Sequence, residues 1–174
     1  MNLNSQLFSD PSPYPCIQVE CENPRYAAAM LSNLGSCCSE MSAVSLYFYN
    51  SLLTRECFEE YSHCFKKISM VEMHHMDIFG QLSLLLGTDP RLWEMHGDDM
   101  AYWSPACNHY PEKIIALVKN SLAGEKETIK KYKEQCGWIK DRHIQAILHR
   151  IIKDEELHVR IFEAMLEELE PPCR

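Results

Sequence analysis

Apolar positions recur along this chain in steps of four and three residues, over four long stretches. One stretch runs Tyr61, Phe65, Ile68, Glu72, His75, Phe79, Leu82, Leu86, and another runs Ile144, Leu148, Ile151, Glu155, His158, Phe162, Met165, Leu169. The other two are Met30, Leu34, Cys37, Glu40, Val44, Tyr47, Ser51 and Ile115, Val118, Leu122, Glu125, Ile129, Tyr132, Cys136. Such steps keep side chains on one face of a helix. They predict helices over about 24–53, 56–86, 111–135 and 141–169. Asn23-Pro24 supplies a start signal, and Gly87, Gly137 and Pro171-Pro172 supply stops. No useful stretch alternates with period two, so the expected fold class is all-α. Helices joined by short, long and short connections predict a four-helix bundle with one crossover, over 87–110, between helices 2 and 3. In that connection Trp103, His109 and Tyr110 are expected to pack. Residues 1–23 carry Pro11, Pro13 and Pro15 and are expected to form an extended arm on the surface or against a partner subunit, leaving 24–170 as the bundle.

Each stripe contains side chains that do not belong in a core. Glu40, Glu72, Glu125 and Glu155 are acidic, and His75 and His158 follow two of them at the third position. An unpaired buried charge is expensive, so something must compensate them. The intrusions also repeat. Each half of the chain reads Glu, Tyr, then Glu-x-x-His, with Glu40 and Tyr47 recurring 85 residues later as Glu125 and Tyr132, and Glu72 and His75 recurring 83 residues later as Glu155 and His158. If the halves pack about a pseudo-twofold axis, four carboxylates and two imidazoles meet at mid-bundle. Two Glu-x-x-His helices and two single-Glu helices are the pattern by which bundles hold two metal ions. Two divalent ions would also neutralise the four carboxylates. Iron is the first expectation for this donor set, then manganese, then zinc.

Composition narrows the partners. The 174 residues carry a formal charge of -8 with Lys and Arg scattered, which excludes nucleic acid and anionic membrane as expected partners. The absence of a transmembrane window and of a signal peptide makes a cytoplasmic location the expectation. The nine cysteines include no Cys-x-x-Cys pair and are expected to be reduced, with Cys37 and Cys38 as small core residues. His63, His74, His143 and His149 are expected on solvated or interhelix surfaces, and Glu163, Glu167, Glu168 and Glu170 on a solvated face. Met70, Met73 and Met76 are expected to fill the core or a dimer contact.

The motifs, Glu40 with Tyr47, VEMHH at 71–75, Glu125 with Tyr132 and DEELH at 154–158, resemble those of the ferritin-like superfamily of dimetal-carboxylate proteins, close to rubrerythrin-type and manganese-catalase-like domains. The resemblance covers about residues 24–169. It implies an up-down-down-up bundle in which Glu40 and Glu125 are terminal or bridging ligands, Glu72 and Glu155 bridge, and His75 and His158 each cap one ion. Tyr47 and Tyr132 would partner the carboxylates and take part in the chemistry. The implied activity is redox chemistry on hydrogen peroxide or O2 in oxidative-stress defence, of peroxidase or catalase type, with iron binding and storage as the alternative. A homodimer is the expected assembly, because the arm and the long connection suit a cage less well. Two departures bear on mechanism. No rubredoxin-like four-cysteine domain is present, so a peroxidase cycle would need an external electron-donor protein. Thr128 stands where rubrerythrins place a further glutamate.

Overall fold

The computed structural model of the chain describes residues 6–96 and 99–170. Helices α1 (Pro24–Gly35), α2 (Glu40–Thr54), α3 (Glu59–Leu85), α4 (Ile114–Trp138) and α5 (Arg142–Leu169) account for most of them. Collinear stripes and short connections pair α2 with α3 and α4 with α5, and the two pairs meet along α2–α4 and α3–α5. This is the expected all-α, up-down-down-up four-helix bundle, with the long crossover between α3 and α4. The stripe of α3 is buried at all eight predicted positions. Two apolar clusters, one around Phe79, Leu82, Ile144 and Ile151 and the other around Phe65, Ile68, Val118 and Phe162, lie on either side of the polar middle.

The first predicted helix is two helices. Ser36-Cys37-Cys38-Ser39 interrupts it, because serine hydroxyls compete with the helical ladder. Ser39 Oγ donates to Ser36 O at 2.5 Å and caps α2 by accepting from Ser42 N at 3.4 Å. Lys131 of α4 donates to Ser32 O at 3.0 Å and Cys38 O at 2.6 Å, satisfying carbonyls that the break frees. At Gly35 a Cβ would lie 2.7 Å from Leu92 Cα, so only glycine lets the crossover pass so close. The expectation of reduced cysteines fails at this break. Cys37 is bonded to Cys107, 70 residues away, and Cys37 is exposed rather than core. Six other described cysteines are free thiols.

The crossover contains a hairpin, β1 (Trp93–His96) paired antiparallel with β2 (Asp99–Tyr102), and a 3-10 turn at Pro105–Cys107. Strands of four residues are too short to register as an alternating pattern. Trp103 packs by donating its Nε1 hydrogen to Ser42 Oγ at 2.9 Å, and Tyr110 packs edge-on against Tyr49. Gly87, at φ 87°, ends α3 as expected, whereas α4 runs through Gly137 to Trp138. Met70 and Met73 are about half exposed, while Met76 packs on the core.

The proline-bearing segment lies along the groove between α3 and α5 of its own chain. Arg150, buried in α5, donates to Ser12 O at 2.7 Å and Asp10 O at 2.6 Å. Further along, Glu20 N donates to Asp141 at 2.6 Å, and Tyr14, Ile17 and Val19 rest on the core. No helix among the described residues is long and apolar enough to cross a membrane.

Candidate metal centre

All six polar intrusions converge. Glu40 comes from the first turn of α2, Glu72 and His75 from the middle of α3, Glu125 from α4, and Glu155 and His158 from α5; each is at most 3% exposed. Their spacing of three places each Glu-x-x-His pair on one helix face, so His75 Nδ1 lies 2.9 Å from Glu72 and His158 Nδ1 lies 3.1 Å from Glu155. Each imidazole also reaches across the axis: His75 Nδ1 is 3.2 Å from Glu155, and His158 Nδ1 is 2.9 Å from Glu72. Glu40 stands 3.9 Å from His75 Nδ1 and Glu125 stands 3.7 Å from His158 Nδ1. Two interlocked groups result, Glu40–Glu72–His75–Glu155 and Glu72–Glu125–Glu155–His158, each with one ligand atom per residue and all such atoms within 4.8 Å of one another. Glu72 and Glu155 belong to both.

The tyrosines complete the pseudo-twofold. Tyr47 of α2 donates to Glu125 of α4, and Tyr132 of α4 donates to Glu40 of α2. Both hydroxyls are fully buried beside carboxylates, and burial followed by the glutamate charges pushes them well above the usual phenol range.

Left to protons alone, the cluster is frustrated. Burial, then the charges of Glu155 and Glu72, lifts Glu40 and Glu125 well above the carboxylate range. Burial works against ionising Glu72 too, yet His158 and His75 hold it at about 2. Both imidazoles are raised well above their usual range against their burial, His75 chiefly by Glu155 and His158 chiefly by Glu72. Even so, Glu72 Oε1 and Glu155 Oε1, buried 2.9 and 3.2 Å from the opposing His158 and His75 Nδ1, make no well-formed hydrogen bond. Unsatisfied oxygens facing a shared centre, in a set of oxygen and nitrogen donors, fit a pair of divalent cations.

The outer nitrogens of the imidazoles are held by residues that the stripes do not reveal. His75 Nε2 lies 3.1 Å from Asp154, a buried carboxylate that also accepts from Tyr14 O–H and Asp10 N–H, each at 2.6 Å, and pairs with Arg150 at 2.6 Å. His158 Nε2 donates instead to the Phe8 carbonyl at 2.9 Å. These bonds fix each ring with Nδ1 turned inward. The signal for Asp154 was the Arg-x-x-x-Asp spacing on α5 beside a ligand; no pattern could have found a backbone carbonyl of the arm. His74 is exposed and packs edge-on against Tyr14, and His63 lies against Phe8, as surface roles require. Glu163 and Glu170 make surface pairs with Lys126 and Lys119.

The arm closes the α3–α5 side, and the α2–α4 side is open. A cleft of about 250 Å³ leads in between these helices, with Glu40, Tyr47 and Glu125 on its wall alongside Thr128, Cys37, Cys38, Cys107 and His109.

Comparison with known proteins agrees with this architecture. The fold is similar to that of KatB, a manganese catalase from Anabaena, with 18% identity and a TM-score of 0.81 over 97% of this chain and 84% of that one. It is also similar to the bacterioferritin of Rhodobacter capsulatus, with 22% identity and a TM-score of 0.68 over 86% and 88% of the two chains. For the bacterioferritin BfrA of Mycobacterium tuberculosis the values are 21%, 0.71, 86% and 89%. No curated protein sequence matches the chain. The ferritin-like domain family matches residues 37–171, most of the length, and the chain belongs to that family.

Proposed function

We propose that Glu40, Glu72, His75, Glu125, Glu155 and His158 bind two metal ions, iron or manganese, and that the protein is a redox enzyme acting on hydrogen peroxide or O2. The observation that carries this reading is the interlocking of the two buried groups through Glu72 and Glu155. When bound, such a pair supplies or accepts two electrons, one per ion. Glu72 and Glu155 lie where they can bridge, and His75 and His158 present Nδ1 to one position each. Tyr47 and Tyr132 hold protons at their hydroxyls against Glu125 and Glu40, ready to follow the charge on those carboxylates. The α2–α4 cleft admits a small oxidant, while the arm keeps water from the imidazoles on the other side. Sharing a fold with a manganese catalase supports the peroxide reading, and sharing it with bacterioferritins supports a second one, oxidation and storage of iron.

Metal analysis of protein purified without added metal, followed by peroxide consumption with and without reductant, tests the reading. O2 evolution from a manganese-loaded sample without reductant selects catalase; turnover only with reductant selects peroxidase. Oxidation of Fe(II) in cage-sized assemblies without peroxide turnover would replace the enzyme with storage, and metal-free protein that takes up neither ion would remove the site.

A further inference from the structure

Sulfur is concentrated along the α2–α4 cleft that leads to the cluster. Of the eight cysteines among the described residues, Cys37, Cys38 and Cys107 line the same cleft as Glu40 and Glu125. Cys37 sits in the break between α1 and α2, and Cys107 ends the 3-10 turn of the crossover, so the bond joins two irregular segments rather than the bundle helices. The Cys37 side is exposed, which lets a reductant reach the bond from solvent. Cys38, free and half-buried, is next to it. A peroxidase cycle needs two electrons per turnover, and a dithiol stores two.

We propose that Cys37 and Cys107 form a redox-active pair at the mouth of the cleft, which takes two electrons from an external thiol reductant and delivers them to an oxidant reduced at the metal centre. The inference rests on the metal reading above. In the reducing half, two donor thiols become a disulfide, the Cys37–Cys107 bond breaks and each sulfur gains a proton. In the oxidising half the two thiols lose two electrons and two protons and their bond reforms. Hydrogen peroxide takes up both, its O–O bond breaks and two waters leave. Thiol reductant and peroxide are thus the two co-substrates.

The test starts from metal-loaded and chelator-stripped samples of the folded protein, each reduced with a phosphine and freed of it under nitrogen. One equivalent of hydrogen peroxide per chain is added, thiols are trapped at intervals by alkylation, and the Cys37–Cys107 peptide is measured by mass spectrometry. In the loaded protein the bridge should return several-fold faster than in the stripped protein, with loss of both thiols. Cys107→Ser should keep its metal and form no bridge, and Cys38→Ser should form it at the unaltered rate. Equal rates with and without metal, or a bridge the phosphine cannot open in the folded protein, would overturn the proposal and show a structural bond. If metal analysis finds no ion in the loaded sample, the metal reading itself fails; bound metal with equal rates sinks only the sulfur pair.

Discussion

The buried pair of Arg150 and Asp154 offers a quantitative test of how the arm and the bundle are joined. Asp154 is fully buried and Arg150 is 4% exposed, with 2.6 Å between guanidinium and carboxylate. Replacing Asp154 by Leu leaves a guanidinium with only the Ser12 and Asp10 carbonyls as acceptors. Breaking a buried pair from one side costs about 3–5 kcal/mol, and the two remaining carbonyl acceptors put the expectation at about 3 kcal/mol. Tyr14 O–H, Asp10 N–H and buried His75 Nε2 lose the same partner in Asp154→Leu and in the double variant, so that loss is common to both. Arg150→Met should be similarly costly, because it strands the carboxylate. The double variant removes both charges and should lose well under the sum of the two single losses. Urea unfolding of the four metal-free proteins measures this cycle directly. Single-variant losses below about 1 kcal/mol, the range of a surface ion pair, or losses that simply add in the double variant, would refute the claim that the pair works as a buried unit.

Other expectations follow from the same geometry. Glu72→Ala should lose metal while Glu167→Ala, on an exposed turn of α5, should not; equal metal content by elemental analysis would remove the six-residue centre. Tyr132→Phe takes away the O–H bond to buried Glu40 and should lower metal-free stability by about 1–3 kcal/mol, read from denaturant midpoints; an unchanged midpoint would mean that the hydroxyl bond is not stabilising. Adding ion at about 100 times its Kd should raise stability by about 2.7 kcal/mol per ion bound, measured as a shift of Tm, whereas binding that left Tm unmoved would place the ion outside the folded core. At about pH 8, Cys16, Cys21 and Cys57 should alkylate readily, while Cys64, whose thiol burial pushes up to about 12, should react only on unfolding. Early labelling of Cys64 in peptide maps would contradict its placement.

The six central residues were legible in the sequence because burying a charge violates the stripe, and a violation repeated in both halves of a chain is readable without coordinates. What escaped notice obeys no period. The α1–α2 break was hidden because Leu34, Cys37 and Glu40 stay in helical phase across it; the phase describes which face is apolar and says nothing of serine hydroxyls taking the backbone bonds. Asp154 sits one residue before Glu155, a rotation of about 100° that takes it off the stripe and toward His75, so its role depends on how α3 and α5 meet. The Cys37–Cys107 bond spans 70 residues and rests on where a crossover without periodicity folds back. Likewise the arm's prolines announced an extended segment but not its bed, since extended backbone can be received by any groove with matching donors.

The pseudo-twofold is least obeyed at the imidazole backs. The position equivalent to Asp154, one before Glu72, is Val71, and the arm's Phe8 carbonyl does for His158 what a carboxylate does for His75. A ring backed by an anion is the more basic donor, so twin ligand sets would present unequal binding strengths. Ions entering this cradle would fill it in a fixed order, with the His75 half first, and a binding isotherm with two resolved steps, collapsing to one in Asp154→Asn, would display that ranking. A duplicated motif would then serve as a pair of unlike seats, which is what lets a half-filled state exist at all.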